Sequence, residues 1–196
     1  MRIIALFSTL LLMACAGEPP PPETRYLLRA ETPLKTARVE APVSIGLRSV
    51  QVATYLTQPG LVIETGAHQM RAARYHQWAE PLAEGLHRFL RAEISNALGY
   101  DVSANAVQRK QWDYAVEVRV DQLHGTLTGD ALLSASWRVT RGGNADEMGK
   151  FRFTRSAPLA RNGYAALVEA EIGLLGQLAS AIADSLRELV EQRAAD

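Results

Sequence analysis

The spacing of apolar residues changes period several times along this chain, and that limits its fold more than any other feature. Over residues 43–53 it alternates, with Val43, Ile45 and Leu47 followed by Val50 and Val52. Period two is the mark of a half-buried strand. The slip of phase between Leu47 and Val50 predicts a bulge or bend. Residues 25–29, centred on Tyr26, Leu27 and Leu28, read as a short strand, and so do 61–64 and 69–75, which join through Gly66 as a hairpin. Over residues 79–98 the period becomes helical. Leu82, Leu86, Leu90, Ile94 and Leu98 recur every four residues, Phe89 and Ala97 widen the stripe, Pro81 fits a first turn and Gly99 a stop.

Alternation then returns over residues 113–121, where Tyr114, Val116, Val118 and Val120 face one way and Glu117 and Arg119 the other. Residues 131–140 and 150–156 read as a second hairpin, turning at Gly142-Gly143-Asn144. Residues 164–193 form a long closing helix with Leu167, Ile172, Leu175, Leu178, Ile182, Leu186 and Leu189 on its buried face. Strands, helix, three strands and helix predict an α+β domain: a largely antiparallel sheet covered on one face by two amphipathic helices. The seven-residue repeat at Val168, Leu175, Ile182 and Leu189 fits core packing better than a partner-binding coiled coil.

The N-terminus is organised differently. Arg2 precedes a run, residues 3–14, that is apolar except for Ser8 and Thr9. A dozen helical residues rise only ~18 Å, well short of the ~30 Å hydrocarbon core of a bilayer, so the run reads as a signal peptide over residues 1–14 and not as a spanning helix. It ends in Leu12-Met13-Ala14-Cys15, and Cys15 is the only cysteine of the 196 residues. No internal disulfide is therefore available. The four residues resemble a bacterial lipobox, which implies a diacylglycerol on the Cys15 thiol, cleavage after Ala14 and an N-acyl chain on the new amine. Several acyl chains anchor stably, since each buried methylene contributes about 0.8 kcal/mol. Ala16 carries none of the acidity of an inner-membrane retention signal, which favours the periplasmic face of the outer membrane. Residues 15–24 then read as a tether: Pro19 to Pro22 favour polyproline II at ~3.1 Å per residue, a spacer of about 25 Å. Residues 25–196 are expected to form a single domain.

Basic and acidic residues balance at 21 each, so nothing marks a nucleic-acid partner. The case for an enzyme is weak. His68, His76, His87 and His124 are scattered without ligand spacing. Ser134 and Ser136 lie in a strand without a nucleophile elbow, Gly142-Gly143 suits a hairpin, and Glu80 and Glu84 on one helix face read as solvated charge. The expectation is a non-catalytic protein without metal or cofactor beyond the lipid on Cys15.

One stretch is less generic. Tyr55-Leu56-Thr57-Gln58-Pro59-Gly60-Leu61-Val62 follows the strand at 45–52, and Trp78-Ala79-Glu80-Pro81-Leu82 opens the first helix. With the early Tyr26-Leu27-Leu28 behind a lipobox, this order resembles the ABC-type transport auxiliary lipoproteins. It departs from their pattern at Gly60, where a bulkier polar residue is more typical. The resemblance covers most of the mature chain. It implies an outer-membrane lipoprotein serving an intermembrane lipid transport system, of either Mce/ABC or Pqi type. Its partners would be an Mce-domain conduit protein and an inner-membrane permease complex, with a homo-oligomer also open. Loops present contact residues on a scaffold, so Tyr55, Leu56, Pro59 and Leu61 are candidates for docking the conduit. Trp78 suits either a partner surface or the stapling of the helix to the sheet. The competing expectation is a free-standing periplasmic envelope lipoprotein that binds a small lipid or cell-wall ligand.

Overall fold

The computed structural model describes residues 20–30, 41–103, 112–142 and 146–195; the lipobox, the apolar run before it and the Gly143-Asn144 part of the last turn lie outside them. The described elements follow the expected order. β1 (Thr24–Tyr26), β2 (Ile45–Val52), β3 (Gly60–Gly66) and β4 (Gln69–Trp78) precede α1 (Leu82–Leu98). β5 (Tyr114–Thr126), β6 (Asp130–Arg141) and β7 (Glu147–Pro158) precede α2 (Tyr164–Ala195).

The strands share one sheet in the order β1-β4-β3-β5-β6-β7, and β2 also pairs with β5. The antiparallel ladders β3–β4, β5–β6 and β6–β7 hold most of the paired residues. The pairs β1–β4, β2–β5 and β3–β5 are parallel. This mixture has a local cause. β2 runs along β5 beside residues 114–120, and β3 runs the same way beside Gly125 and Thr126. The short link between them carries the chain onward without reversing it.

The slip of phase in β2 is a bulge. Leu47 pairs with Val116 and Ser49 with Glu117, which leaves Arg48 without an opposite residue. Its guanidinium turns to Glu117 instead, at 2.9 Å.

Alternation along β6 sets the two faces of the sheet. Ala131, Leu133, Ala135, Trp137 and Val139 are buried, and the Trp137 indole N–H donates to Ser185 of α2 at 3.1 Å. α2 therefore lies on that face, against β5, β6 and β7, while α1 packs on β2 and α2. By length and composition Tyr164–Gln192 could cross a membrane. Here, however, Leu167, Leu174, Leu175, Leu178, Ile182 and Leu186 are packed into the core.

β5, running to Thr126, and β7, spanning Glu147–Pro158, are longer than expected, and other details differ as well. β1 is shorter and earlier than 25–29: it pairs with β4 only from Thr24 to Tyr26, after which Leu27 is exposed and Leu28 turns into the core. β4 continues to Trp78, because Trp78 N–H donates to the Pro59 carbonyl, and the Ala79 N–H then donates to Tyr26. α1 is accordingly delayed to Leu82, with Pro81 as its cap and Glu80 ahead of the helix. On α2, Ile172 and Leu189 are only half-buried, and the inward position is taken by Glu171.

Candidate functional site

Between the β2 and β3 pairings, residues 121–124 of β5 have no strand beside them on that edge. The Tyr55–Gly60 motif bridges the gap. Ala53 N–H donates to Val120 O at 2.9 Å and closes β2; a single 3-10 turn, Thr54–Leu56, follows. Leu56 N–H donates to Ala53 O at 2.9 Å, and the Gln58 amide donates to Tyr55 O at 2.7 Å. Buried backbone carbonyls need partners, and Tyr55 supplies one. Its hydroxyl donates to Asp121 O at 3.3 Å, on the uncovered stretch, and its ring meets His124 edge-on at 6.5 Å between centroids. Burial pushes the Tyr55 phenol up from its ordinary pKa. A backbone hydrogen bond at Leu123 opposes this, and the carboxylates of Asp121, Glu171 and Glu64 add to it. The phenol is thereby kept protonated, as a donor.

This geometry sorts the five residues expected at a partner surface. Leu56, Leu61 and Trp78 are buried and Tyr55 is half-buried, whereas Pro59 is exposed, as are Thr57 and Gln58 before it. Leu56 and Leu61 belong to the core. Trp78 is buried with Tyr26, Leu28, Leu82 and Gly85 around it, where the sheet hands over to α1. Of the five, Pro59 is exposed and Tyr55 half-exposed. The structure gives a reason for glycine at position 60. A Cβ on Gly60 would stand 2.3 Å from the Ala73 carbonyl oxygen, where the β3–β4 register shifts.

The sheet face turned away from the helices is polar. Ser49, Gln51, Glu117, Arg119, Ser136, Arg138, Lys150 and Arg152 line an open groove of about 510 Å³. Glu117 sits at its centre, accepting from Arg48 at 2.9 Å on one oxygen and from Arg138 at 2.7 Å on the other. Burial raises the Glu117 pKa, but the Arg138 and Arg48 guanidiniums together outweigh it and hold the carboxyl below its ordinary value. Arg119 is paired with Asp121 and Lys150 with Glu147.

The histidines stand apart. His76 stacks on Tyr164 at 4.2 Å and His87 bonds the Leu47 carbonyl at 3.0 Å. His124 is buried in β5, and His68 is exposed in the β3–β4 turn. Among the described residues no group of three or more His, Cys, Asp or Glu is placed to hold a metal. Sequence reasoning missed Glu171, which is 1% exposed. The signal was present: it lies four residues from both Leu167 and Leu175, on the apolar stripe itself.

Comparison with known proteins decides the family. The family described as ABC-type transport auxiliary lipoprotein component matches residues 26–183, from β1 into α2. The chain belongs to it. The intermembrane transport lipoprotein PqiC of Escherichia coli K12 is 26% identical over 144 residues, covering 73% of this chain and 74% of that one. PqiC of Shigella flexneri matches to the same extent. Among solved structures, an uncharacterized protein superposes with a TM-score of 0.72 at 23% identity, covering 85% of this chain and 99% of its own. A Xanthomonas campestris protein also gives 0.72, at 14% identity, covering 88% of this chain and 100% of its own. Those two likenesses establish the mixed α+β fold. Membership makes the chain a transport auxiliary lipoprotein, an envelope-associated component of a multi-component system.

Proposed function

We propose that this protein is an outer-membrane lipoprotein, held by a diacylglycerol and an N-acyl chain on Cys15, that docks the periplasmic conduit of an intermembrane lipid transport system. The family match over residues 26–183 carries the reading. The chain contributes binding and no catalysis. Its partners are an Mce-domain conduit and, through it, an inner-membrane permease complex of ABC or Pqi type. The β2–β3 link is the docking loop: Thr57, Gln58 and Pro59 are exposed on a turn fixed in the core by Leu56 on one side and by Leu61, at the start of β3, on the other. A docking loop held from beneath loses little entropy on binding.

The test is co-purification of the lipidated protein with an Mce-domain protein from detergent-solubilised envelope, for the wild type and for Pro59→Arg. Pro59 is exposed, so the variant should fold normally and lose the conduit. A folded Pro59→Arg protein that retains it removes the loop from the interface, and a wild type that brings down no conduit or permease removes the docking role. One observation favours the second reading, a ligand-binding envelope lipoprotein. The arginine-lined groove on the free sheet face is open enough for a small anionic headgroup.

A further inference from the structure

Leu127, Met70 and Leu27 are the large apolar side chains that the described domain leaves exposed, and two of them sit at one end of the sheet. Leu127 is 70% exposed and Met70 40%. Register places them together: Met70 lies opposite Glu64, Glu64 opposite Thr126, and Leu127 follows directly. The β3–β4 and β5–β6 hairpin tips therefore stand side by side.

The turn bearing Leu127 is built to hold it out. Thr126 Oγ1 lies 2.8 Å from Thr128 Oγ1 and accepts the Asp130 N–H at 3.1 Å. Thr128 Oγ1 donates to the Asp130 carboxylate at 2.9 Å, and the Gly129 N–H donates to Thr126 O at 3.3 Å. Gly129 takes φ +88°, which a residue without Cβ adopts freely. The polar groups of the turn bond to one another, and the leucine points away. A lone exposed leucine calls for no explanation, but a leucine on a braced turn beside a second apolar tip forms a wedge.

The N-terminal segment says what this end faces. β1 is parallel to β4 and pairs Thr24 with His76 and Tyr26 with Trp78. The chain before Thr24 therefore arrives from the side of Gln69, which is the hairpin-tip end. Gly60 pairs with Gln77 and Gly66 with Gln69, so at ~3.3 Å per residue of β3 the tips lie about 20 Å from Thr24. Nine residues, the number from Cys15 to Glu23, reach at most ~28 Å in polyproline II geometry. The segment is long enough, and enters from the correct side, to bring Cys15 level with Leu127 and Met70.

We propose that the β3–β4 and β5–β6 hairpin tips are a membrane-contacting edge, with Leu127 and Met70 entering the boundary between headgroups and acyl chains of the bilayer that holds the lipid anchor. This rests on acylation of Cys15. Two apolar side chains bind a bilayer weakly by themselves, so they orient a domain that the anchor already retains. The β6–β7 hairpin, at the opposite end of the same sheet, then faces away from the membrane.

The test uses the full lipidated protein in vesicles of phosphatidylethanolamine and phosphatidylglycerol. Leu127→Cys and Glu147→Cys, both at exposed sites on opposite ends of the sheet, are each labelled with a polarity-sensitive fluorophore. The expected result is a blue shift at Leu127→Cys, with quenching by nitroxides on the lipid chains, and neither effect at Glu147→Cys. Mass spectrometry of the Cys15 peptide is read on the same samples. An unmodified Cys15 overturns the anchoring and this proposal with it. An acylated Cys15 with an unshifted, iodide-accessible label at 127 overturns the proposal alone. A label in native envelope shielded from iodide yet unreached by lipid nitroxides also overturns it, and assigns the tips to a protein partner.

Discussion

Glu171 offers the sharpest test of the packing described above. It lies on the sheet-facing stripe of α2, its Oε2 has no hydrogen-bond partner among the described residues, and burial pushes its pKa up to about 8. The unfolded chain returns it to 4.5. Below about pH 4.5 the carboxyl is neutral in both states and costs nothing through ionisation. Between 4.5 and 8 the unfolded state releases a proton that the folded state keeps. Folding then takes up a proton, and stability falls by about 1.4 kcal/mol for each pH unit. The accumulated loss is roughly 3 kcal/mol at pH 7 and levels off near 5 kcal/mol above pH 8. Glu171→Gln keeps the shape and cannot ionise, so it removes this slope. Urea unfolding of the non-lipidated domain, followed by circular dichroism at several values between pH 5 and pH 8, reads the difference. The gap between variant and wild type should widen with pH in favour of the variant. Parallel curves for the two proteins would show that the folded state holds the charge as readily as water does, and would refute the reasoning.

Gly60→Ala forces a Cβ against the Ala73 carbonyl oxygen and should lower stability by about 1–3 kcal/mol in the same unfolding assay. Ser185→Ala leaves the buried Trp137 indole N–H without its acceptor, at a cost of about 1–3 kcal/mol and with a changed tryptophan emission. Glu117 is held below its ordinary pKa, so its contribution is present at neutral pH and is lost as pH falls through that depressed value; Glu117→Gln should flatten the acid limb of the stability curve. Cys15→Ser should move the protein from the membrane to the soluble fraction of fractionated cells, because in the proposed anchoring the acyl chains and not the domain supply the retention.

The elements were legible where a single period ran long enough to be read. β5 and β6 alternate over many residues, and the Leu82-to-Ile94 stripe of α1 repeats over several turns. Even the bulge at Arg48 showed, since a phase slip in an alternating strand has few other causes. Boundaries were read less well. Whether Trp78 and Ala79 belong to a strand or a helix depends on Pro59 and Tyr26 arriving to accept their N–H groups. Local pattern carries no record of those distant acceptors.

Residues 55–62 show the same division. That residues 55–62 were special could be read from their order alone, but their roles could not. Leu56 and Leu61 in a loop look like contact residues until the fold shows that the loop spans a gap in the edge of β5 and packs inward. Tyr55 combines both: its hydroxyl donates to the Asp121 carbonyl while the residue stays half-exposed.

By itself, the sequence determined which segments become strands and helices and that one face of each is apolar, because those follow from the spacing of side chains along the backbone. It also determined that an apolar run ends at one cysteine before a stiff, proline-rich spacer. Only the tertiary structure decided that β2 and β3 share an edge of β5, that Glu171 faces the core, and that Leu127 and Met70 stand together at the end from which the chain enters β1. Strand order and direction arise from contacts between residues far apart in the chain, and no local period encodes them.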